Sequence, residues 1–149
     1  MLTVADIMTS KVVSIKGSTT VREMAGIFDT MNIGTLPIVD DAGNLTGIVT
    51  ASDLVEQDRP LHIPTVISLF DWVIPLGGEG ALQRELDKMS AQTAAELASS
   101  DIVTVSQTDA VSSAAEIMSS KKLHAIPVVE GKKLVGMVSR IDIIRSMNR

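Results

Sequence analysis

A stretch of seven residues occurs twice in this chain, and that recurrence limits the folds open to it. Gly47-Ile48-Val49-Thr50-Ala51-Ser52-Asp53 and Gly136-Met137-Val138-Ser139-Arg140-Ile141-Asp142 share one construction. A glycine precedes an apolar run that reads as a strand end; a hydroxyl residue, two variable positions and an aspartate follow, and an apolar helix-like run begins. The hydroxyl and the carboxylate therefore fall in the first turn of a helix, beside N–H groups with no intrahelical partner. Two chemistries suit that place. The pair is close to a capping box, in which the two side chains satisfy those N–H groups reciprocally. It also suits a nucleotide, with a phosphate at the helix start and ribose hydroxyls donating to the aspartate. A single copy reads first as a cap; two copies in matching repeats keep both readings open.

The rest of the chain follows the same register, at an offset of about 90 residues. Thr3-Val4-Ala5-Asp6-Ile7 meets Thr93-Ala94-Ala95-Glu96-Leu97, each with threonine as an N-cap and an acid three residues on. Val12 to Ile15 meets Ile102 to Val105, β-branched runs that predict strands. Val21, Met24, Ala25 and Phe28 recur at helical spacing, matched by Val111, Ala114, Ala115 and Met118, with Thr19 and Asp109 expected as the caps. Leu36-Pro37-Ile38-Val39 meets Ile126-Pro127-Val128-Val129, a second strand with proline near its start. One residue is lost where Asp40 to Asn44 meets Glu130 to Lys133, both turn-forming. Each repeat thus predicts short helix, strand, helix, strand, hairpin, strand, helix. The boundaries are 1–56 for the first repeat, 57–92 for an insertion and 93–149 for the second.

The insertion is longer than an ordinary connection and is apolar from Leu61 to Leu76, around the single Trp72. It is expected to be ordered, packing through Ile67, Leu69, Phe70 and Trp72, with a helix from Ala81 to Met89. It either covers apolar edges of the repeats or meets a partner or second subunit. Pro64, Pro75 and Asp71 interrupt it, so no membrane span is expected.

Composition removes several functions. The chain has no cysteine, which excludes thiolate nucleophiles and cysteine metal sites and fits a reducing, cytoplasmic setting. Its net charge of −5 argues against a general nucleic-acid binder. No basic-then-apolar leader suggests a signal peptide. About half of the 13 Lys and Arg residues lie from Lys121 onward, either a solvated face or an attraction for phosphate. No Gly-x-Ser-x-Gly elbow, His-Glu metal helix or Walker loop is present, so the chain is not expected to be an enzyme. His62 reads as an ordinary surface or packing residue, and the methionines as core filler.

With both repeats laid out, the sequence resembles a tandem pair of CBS domains, the Bateman module. The resemblance rests on Leu36 to Asp40 followed by Gly47 to Asp53, and on Ile126 to Val129 followed by Gly136 to Asp142. It covers both ends of the chain and leaves only the insertion outside. It implies an α+β fold in which two CBS repeats, each a small three-stranded sheet with two helices, pack about a pseudo-twofold axis. It also implies two clefts for adenosyl ligands and a homodimer. Carried over, the ribose-binding acid falls on Asp53 and Asp142, and the hydroxyl near phosphate on Thr50 and Ser139. The adenine slot falls on Ser10-Lys11-Val12-Val13 and on Ser100-Asp101-Ile102-Val103. His124 stands where phosphate-gripping members carry basic residues, and the first repeat has Gly34-Thr35 there instead. Arg140 has only Ala51 as its counterpart. The second cleft is thus expected to hold phosphate better, with Arg140 near it.

The resemblance implies a regulatory module that senses an adenosyl compound (AMP, ADP or ATP, or NAD or S-adenosylmethionine) without a metal and acts on a separate effector protein. The alternative is a structural or dimerisation module that regulates a partner with no nucleotide bound.

Overall fold

The computed structural model describes residues 2–56, 92–99 and 101–148. The expectations for Trp72 and the rest of the insertion, and for Ser100, lie outside the described residues. In chain order the elements are α1 (Val4–Ile7), α2 (Val21–Met31), β1 (Thr35–Val39), β2 (Leu45–Thr50), α3 (Ala51–Glu56), α4 (Ala94–Leu97), α5 (Val111–Lys121), β3 (Ala125–Glu130), β4 (Lys133–Ser139) and α6 (Arg140–Ser146). The α+β architecture of two equivalent repeats is as the sequence predicts.

Each repeat is built on an antiparallel hairpin. β1 pairs with β2, Leu36 opposite Val49, and β3 pairs with β4, Ile126 opposite Val138. The third strand of each sheet shrinks to a single residue. Ile15 donates to Pro37 O (3.0 Å) and accepts from Val39 N (2.9 Å); Val105 does the same with Pro127 and Val129 (3.1 and 3.0 Å). A parallel ladder continuing backward would need the N–H of residue 37 or 127 for the carbonyl of Val13 or Val103. Proline has none, so pairing stops there. The prolines that mark the second strand also shorten the first.

The leaders exchange. Val4 of α1 is fully buried in the second repeat's core with Val105, Ala114, Met118, Ile126, Val128, Val138 and Ile143. Ala94 of α4 is buried in the first repeat's core with Ile15, Val21, Met24, Leu36, Ile38 and Val49. The backbone fixes each crossing. Val4 N–H donates to Asp109 O (2.8 Å), and Thr9 exchanges both bonds with Met137 (2.8 and 2.9 Å). In the other direction Ala94 N–H donates to Thr19 O (2.7 Å) and Ser99 N–H to Ile48 O (3.1 Å). The two hairpins also meet: Leu45 N–H donates to Lys132 O (2.8 Å) and Leu134 N–H to Gly43 O (3.1 Å). Sequence boundaries at 1–56 and 93–149 place each leader with its own repeat; in the fold each completes the other's core.

Two expected caps move by one residue. Thr20, not Thr19, caps α2 by accepting from Glu23 N–H (3.2 Å), while the Thr19 hydroxyl accepts from Lys16 N–H (3.2 Å). Asp109 closes the turn before α5 by accepting from Ser106 N–H (2.9 Å), and Ala110 takes the N-cap position without a side-chain bond. The leader caps are as expected: the Asp6 carboxylate accepts from Thr3 N–H (2.8 Å), and Glu96 accepts from Thr93 N–H (3.3 Å).

Candidate functional site

The corner where β4 becomes α6 fixes the central carboxylate. Ser139 is extended (φ −106°, ψ 168°), so its hydroxyl turns back to accept from Asp142 N–H at 3.3 Å. Asp142 reciprocates through one oxygen only. Its Oδ2 accepts from Ser139 N–H (2.8 Å) and from the Ser139 hydroxyl (3.0 Å). Oδ1 has no hydrogen bond among the described residues. The β2–α3 corner repeats the arrangement, with Asp53 Oδ2 accepting from Thr50 N–H (2.8 Å) and Asp53 N–H reaching the Thr50 hydroxyl (3.4 Å). Both motifs are capping boxes. The cap and a ligand contact are nevertheless compatible, because each uses a different carboxylate oxygen.

The first-turn N–H groups are less available than the sequence predicts. Arg140 N–H donates to His124 O (3.1 Å) and Asp142 N–H to the serine hydroxyl; in the first repeat Ala51 N–H donates to Gly34 O (3.0 Å). An anion at this corner would depend on side chains more than on helix N–H groups.

Asp142 and Ser139 open onto a cleft of about 340 Å³ between the repeats. From the first repeat it is lined by Thr9 and Lys11 to Val13 after α1, and by Asn32 to Thr35 entering β1. From the second it is lined by His124 and Ala125 entering β3, and by Met137, Ser139, Ile141 and Asp142. The volume lies at the low end of the ~300–1,000 Å³ usual for small-molecule sites. The leader exchange builds this wall: Thr9 is paired to Met137, which brings Lys11, Val12 and Val13 alongside Asp142.

Of the residues singled out from sequence, Val12, Val13, His124, Ser139 and Asp142 come together here. Gly34 and Thr35, assigned from sequence to the first repeat's cleft, line this one instead, because the clefts lie between repeats. Ser10 is exposed and lies outside the lining. Arg140 is not at the cleft either: its Nε donates to Leu123 O at 2.9 Å, holding the guanidinium on the backbone before β3. Thr50 and Asp53 sit at the equivalent corner, where Ser99 bridges to Ile48; Ile102 is half-buried, and Val103 packs against the second repeat's core. Sequence reasoning missed Lys11 as a charged group, along with Met137 and Ile141. Lys11 sat within the quoted adenine segment, and its charge was the available signal. Among the described residues no three His, Asp or Glu side chains cluster as metal ligands, and no helix is long and apolar enough to cross a membrane.

The family model for the CBS domain matches residues 4–59 and 94–149. A curated relative, the uncharacterized protein MJ1404 of Methanocaldococcus jannaschii, is 29% identical over 95% of this chain and 31% of its own length. The chain thus spans about a third of the length of the first curated relatives it matches. Among solved structures, CBSX2 in complex with AMP superposes with a TM-score of 0.76, at 23% identity, over 99% of this chain and 97% of that one. The CBS domain pair of protein MJ0100, in complex with 5′-methylthioadenosine and S-adenosyl-L-methionine, gives a TM-score of 0.70 at 25% identity, over 99% and 97%.

Proposed function

Because the chain belongs to the CBS domain family, we propose that it is a regulatory, ligand-sensing module whose cleft at Asp142 takes an adenosyl compound. The observation that carries this reading is the divided use of the Asp142 carboxylate. One oxygen holds the corner and the other, with no partner among the described residues, borders a cleft of nucleoside size. Ribose hydroxyls would donate to Oδ1. The methyl groups of Val12 and Val13 would cover the base, and the backbone between them would read its edge. The adenosyl ligands of CBSX2 and the MJ0100 pair support the ligand class. The module contributes no chemistry of its own in this reading; it reports ligand level to a separate effector in the cytoplasm.

We further propose a homodimer. Ile141, Ile144 and Met147 of the α6 region are 50%, 58% and 76% exposed, and Val55 of α3 is 72% exposed. Large apolar side chains grouped on two equivalent helices are what a self-complementary interface would bury. Sedimentation at low micromolar concentration should give twice the chain mass.

The alternative, a scaffold that works unliganded, draws support from the same corners, since both capping boxes are closed without a ligand. Calorimetry with adenosine, AMP, ATP, NAD, 5′-methylthioadenosine and S-adenosylmethionine separates the two. Saturable binding of at least one, weakened about tenfold or more in Asp142→Asn, is expected. Absence of heat with all six leaves the scaffold reading.

A further inference from the structure

The helices of the two repeats meet around the Asp142 cleft and present outer faces of opposite character. Asn32, which ends α2, and Ile141, in the first turn of α6, line that cleft together. α3 and α6 start from equivalent bonds, Ala51 N–H to Gly34 O and Arg140 N–H to His124 O. α2 packs on α3, and α5 on α6. Among its described side chains the α2–α3 pair exposes one cation and two acids, Arg22, Glu23 and Asp29, a net −1. The α5–α6 pair, with its Lys122 cap, exposes four cations and one acid, Lys121, Lys122, Arg140, Arg145 and Glu116, a net +3.

Shape differs along with charge. α6 carries Ile141, Ile144 and, at its cap, Met147, spaced three apart so that they form an exposed ridge on one side of the helix. α2 instead exposes Ala25 and Gly26 in its middle. Glycine weakens a helix interior, and a Cβ at Gly26 would meet nothing within 4 Å, so no contact within the described chain calls for it. The matching residue of α5 is Glu116. The first repeat thus has a notch where the second has a charged side chain.

We infer that two copies of this chain associate head to tail. The α5–α6 face of one copy sits on the α2–α3 face of the other, and the twofold axis repeats the contact. The inference rests on the homodimer reading above and gives that dimer its orientation.

Apolar burial does not choose between orientations, since either one covers Val55 and the α6 ridge. Charge does. A head-to-head pair sets the net +3 face against its own copy, whereas a head-to-tail pair sets it twice against the acidic face. Exposed ion pairs add little affinity, but like charges brought together reject the wrong arrangement. Shape agrees, because head-to-tail docking offers the ridge a notch in place of a second ridge. Ile141 belongs to both the face and the cleft. The partner's first repeat would therefore cover the outer side of a residue whose inner side lines the site.

The chain has no cysteine, so single-cysteine variants read the orientation directly. Val55→Cys and Ile144→Cys each place one thiol at an exposed position, one in each repeat. Each variant alone and an equilibrated mixture of the two are treated with a short bismaleimide. Cross-linked dimer is expected in the mixture and not in either variant alone. Arg145→Glu should raise the dimer's dissociation constant about threefold to tenfold, because the reversal acts in both copies of the contact. Added salt should raise that constant as well. In a head-to-head dimer Arg145→Glu and salt would both relieve repulsion and lower it. Cross-linking of either variant alone as efficient as in the mixture, no cross-link in the mixture, or a constant that Arg145→Glu leaves unchanged or lowers overturns the orientation. The homodimer reading then stands, provided that sedimentation of the unaltered chain gives twice its mass. A monomer there overturns both.

Discussion

Gly136→Ala probes the leader exchange most directly. A Cβ built on Gly136 meets Met8 Sδ at 2.6 Å, Met8 Cγ at 3.1 Å and Thr9 O at 3.1 Å. The thioether can swing away, but Met8 packs against the second core, so its retreat opens that contact. Thr9 O cannot follow, because the paired bonds between Thr9 and Met137, 2.8 and 2.9 Å, clamp the two backbones. Overpacking of this kind costs about 1–3 kcal/mol, against which the stiffer unfolded chain of alanine returns about 0.4–1 kcal/mol. A net loss of about 1–2 kcal/mol should lower Tm by roughly 2–8 °C in a chain of this size. Gly47, the equivalent residue, meets Ala98 Cβ at 3.0 Å, Ile38 Cδ1 at 3.3 Å and the Ser99 carbonyl at a relaxed 3.7 Å, so Gly47→Ala should cost less. Urea unfolding of both variants, and of Gly136→Ala combined with Met8→Ala, measures the effect. The double variant should lose less than the sum of its parts, since deleting the thioether removes the clash. Strict additivity, or a Gly136→Ala loss below about 0.5 kcal/mol, which is the size of ordinary surface effects, would show that α1 does not dock on β4 as described.

Asp142→Asn keeps an oxygen for Ser139 N–H and so most of the cap, but it puts a neutral amide where ribose would meet Oδ1; affinity for an adenosyl ligand should fall tenfold or more (about 1.4 kcal/mol) with a small change in Tm. Ser139→Ala should cost about 1 kcal/mol of stability through the lost cap bond. Lys122 ends α5 in the left-handed region at φ 55°, where the equivalent Asn32 sits at φ 52°, so Lys122→Asn should raise the unfolding free energy by a few tenths of a kcal/mol, read from urea unfolding. Asp40 is held below its usual 3.8 by the Asn44 N–H (2.9 Å) first, helped by the Asn44 side chain, the Ala42 N–H (3.0 Å) and the Lys16 ammonium. Its contribution is therefore complete above pH 3.8 and disappears as pH falls below that through the lowered value; amide shifts of Ala42 and Asn44 should follow this step, and Asp40→Asn should abolish it.

Local features were legible where one short stretch contains both partners. The leader caps Thr3/Asp6 and Thr93/Glu96 and the two hydroxyl-x-x-Asp corners are of this kind. Adjacent hydroxyls at Thr19 and Thr20 hid which one caps α2, since either oxygen reaches a nearby N–H. The shortening of the first strand follows from Pro37 and Pro127, but only once it is known which edge of β1 and β3 that strand would join. The destination of the leaders was not legible. Both cores offer similar β-branched surfaces, and nothing within residues 3–7 distinguishes Leu36 and Val49 from Ile126 and Val138. The site inherits that gap: the family resemblance supplied Lys11, Val12, Val13 and Asp142, while the crossing decides that Gly34 and Thr35 join them.

The exchange of α1 and α4 also sets an order for synthesis. As the chain leaves the ribosome, the hairpin of β1 and β2 is complete long before Ala94 exists to close its core. Val4 must likewise wait for Val138 and Ile143, its partners in the second core, which are made much later. The contacts that finish each core span about a hundred residues of sequence, the kind of closure that slows folding and keeps apolar surface open meanwhile. A chain cut after residue 56 would hold one hairpin lacking Ala94 and one leader with nowhere to dock. Neither half is a smaller version of the whole, and chaperones would be expected to hold nascent chains until the final turn of α6 emerges.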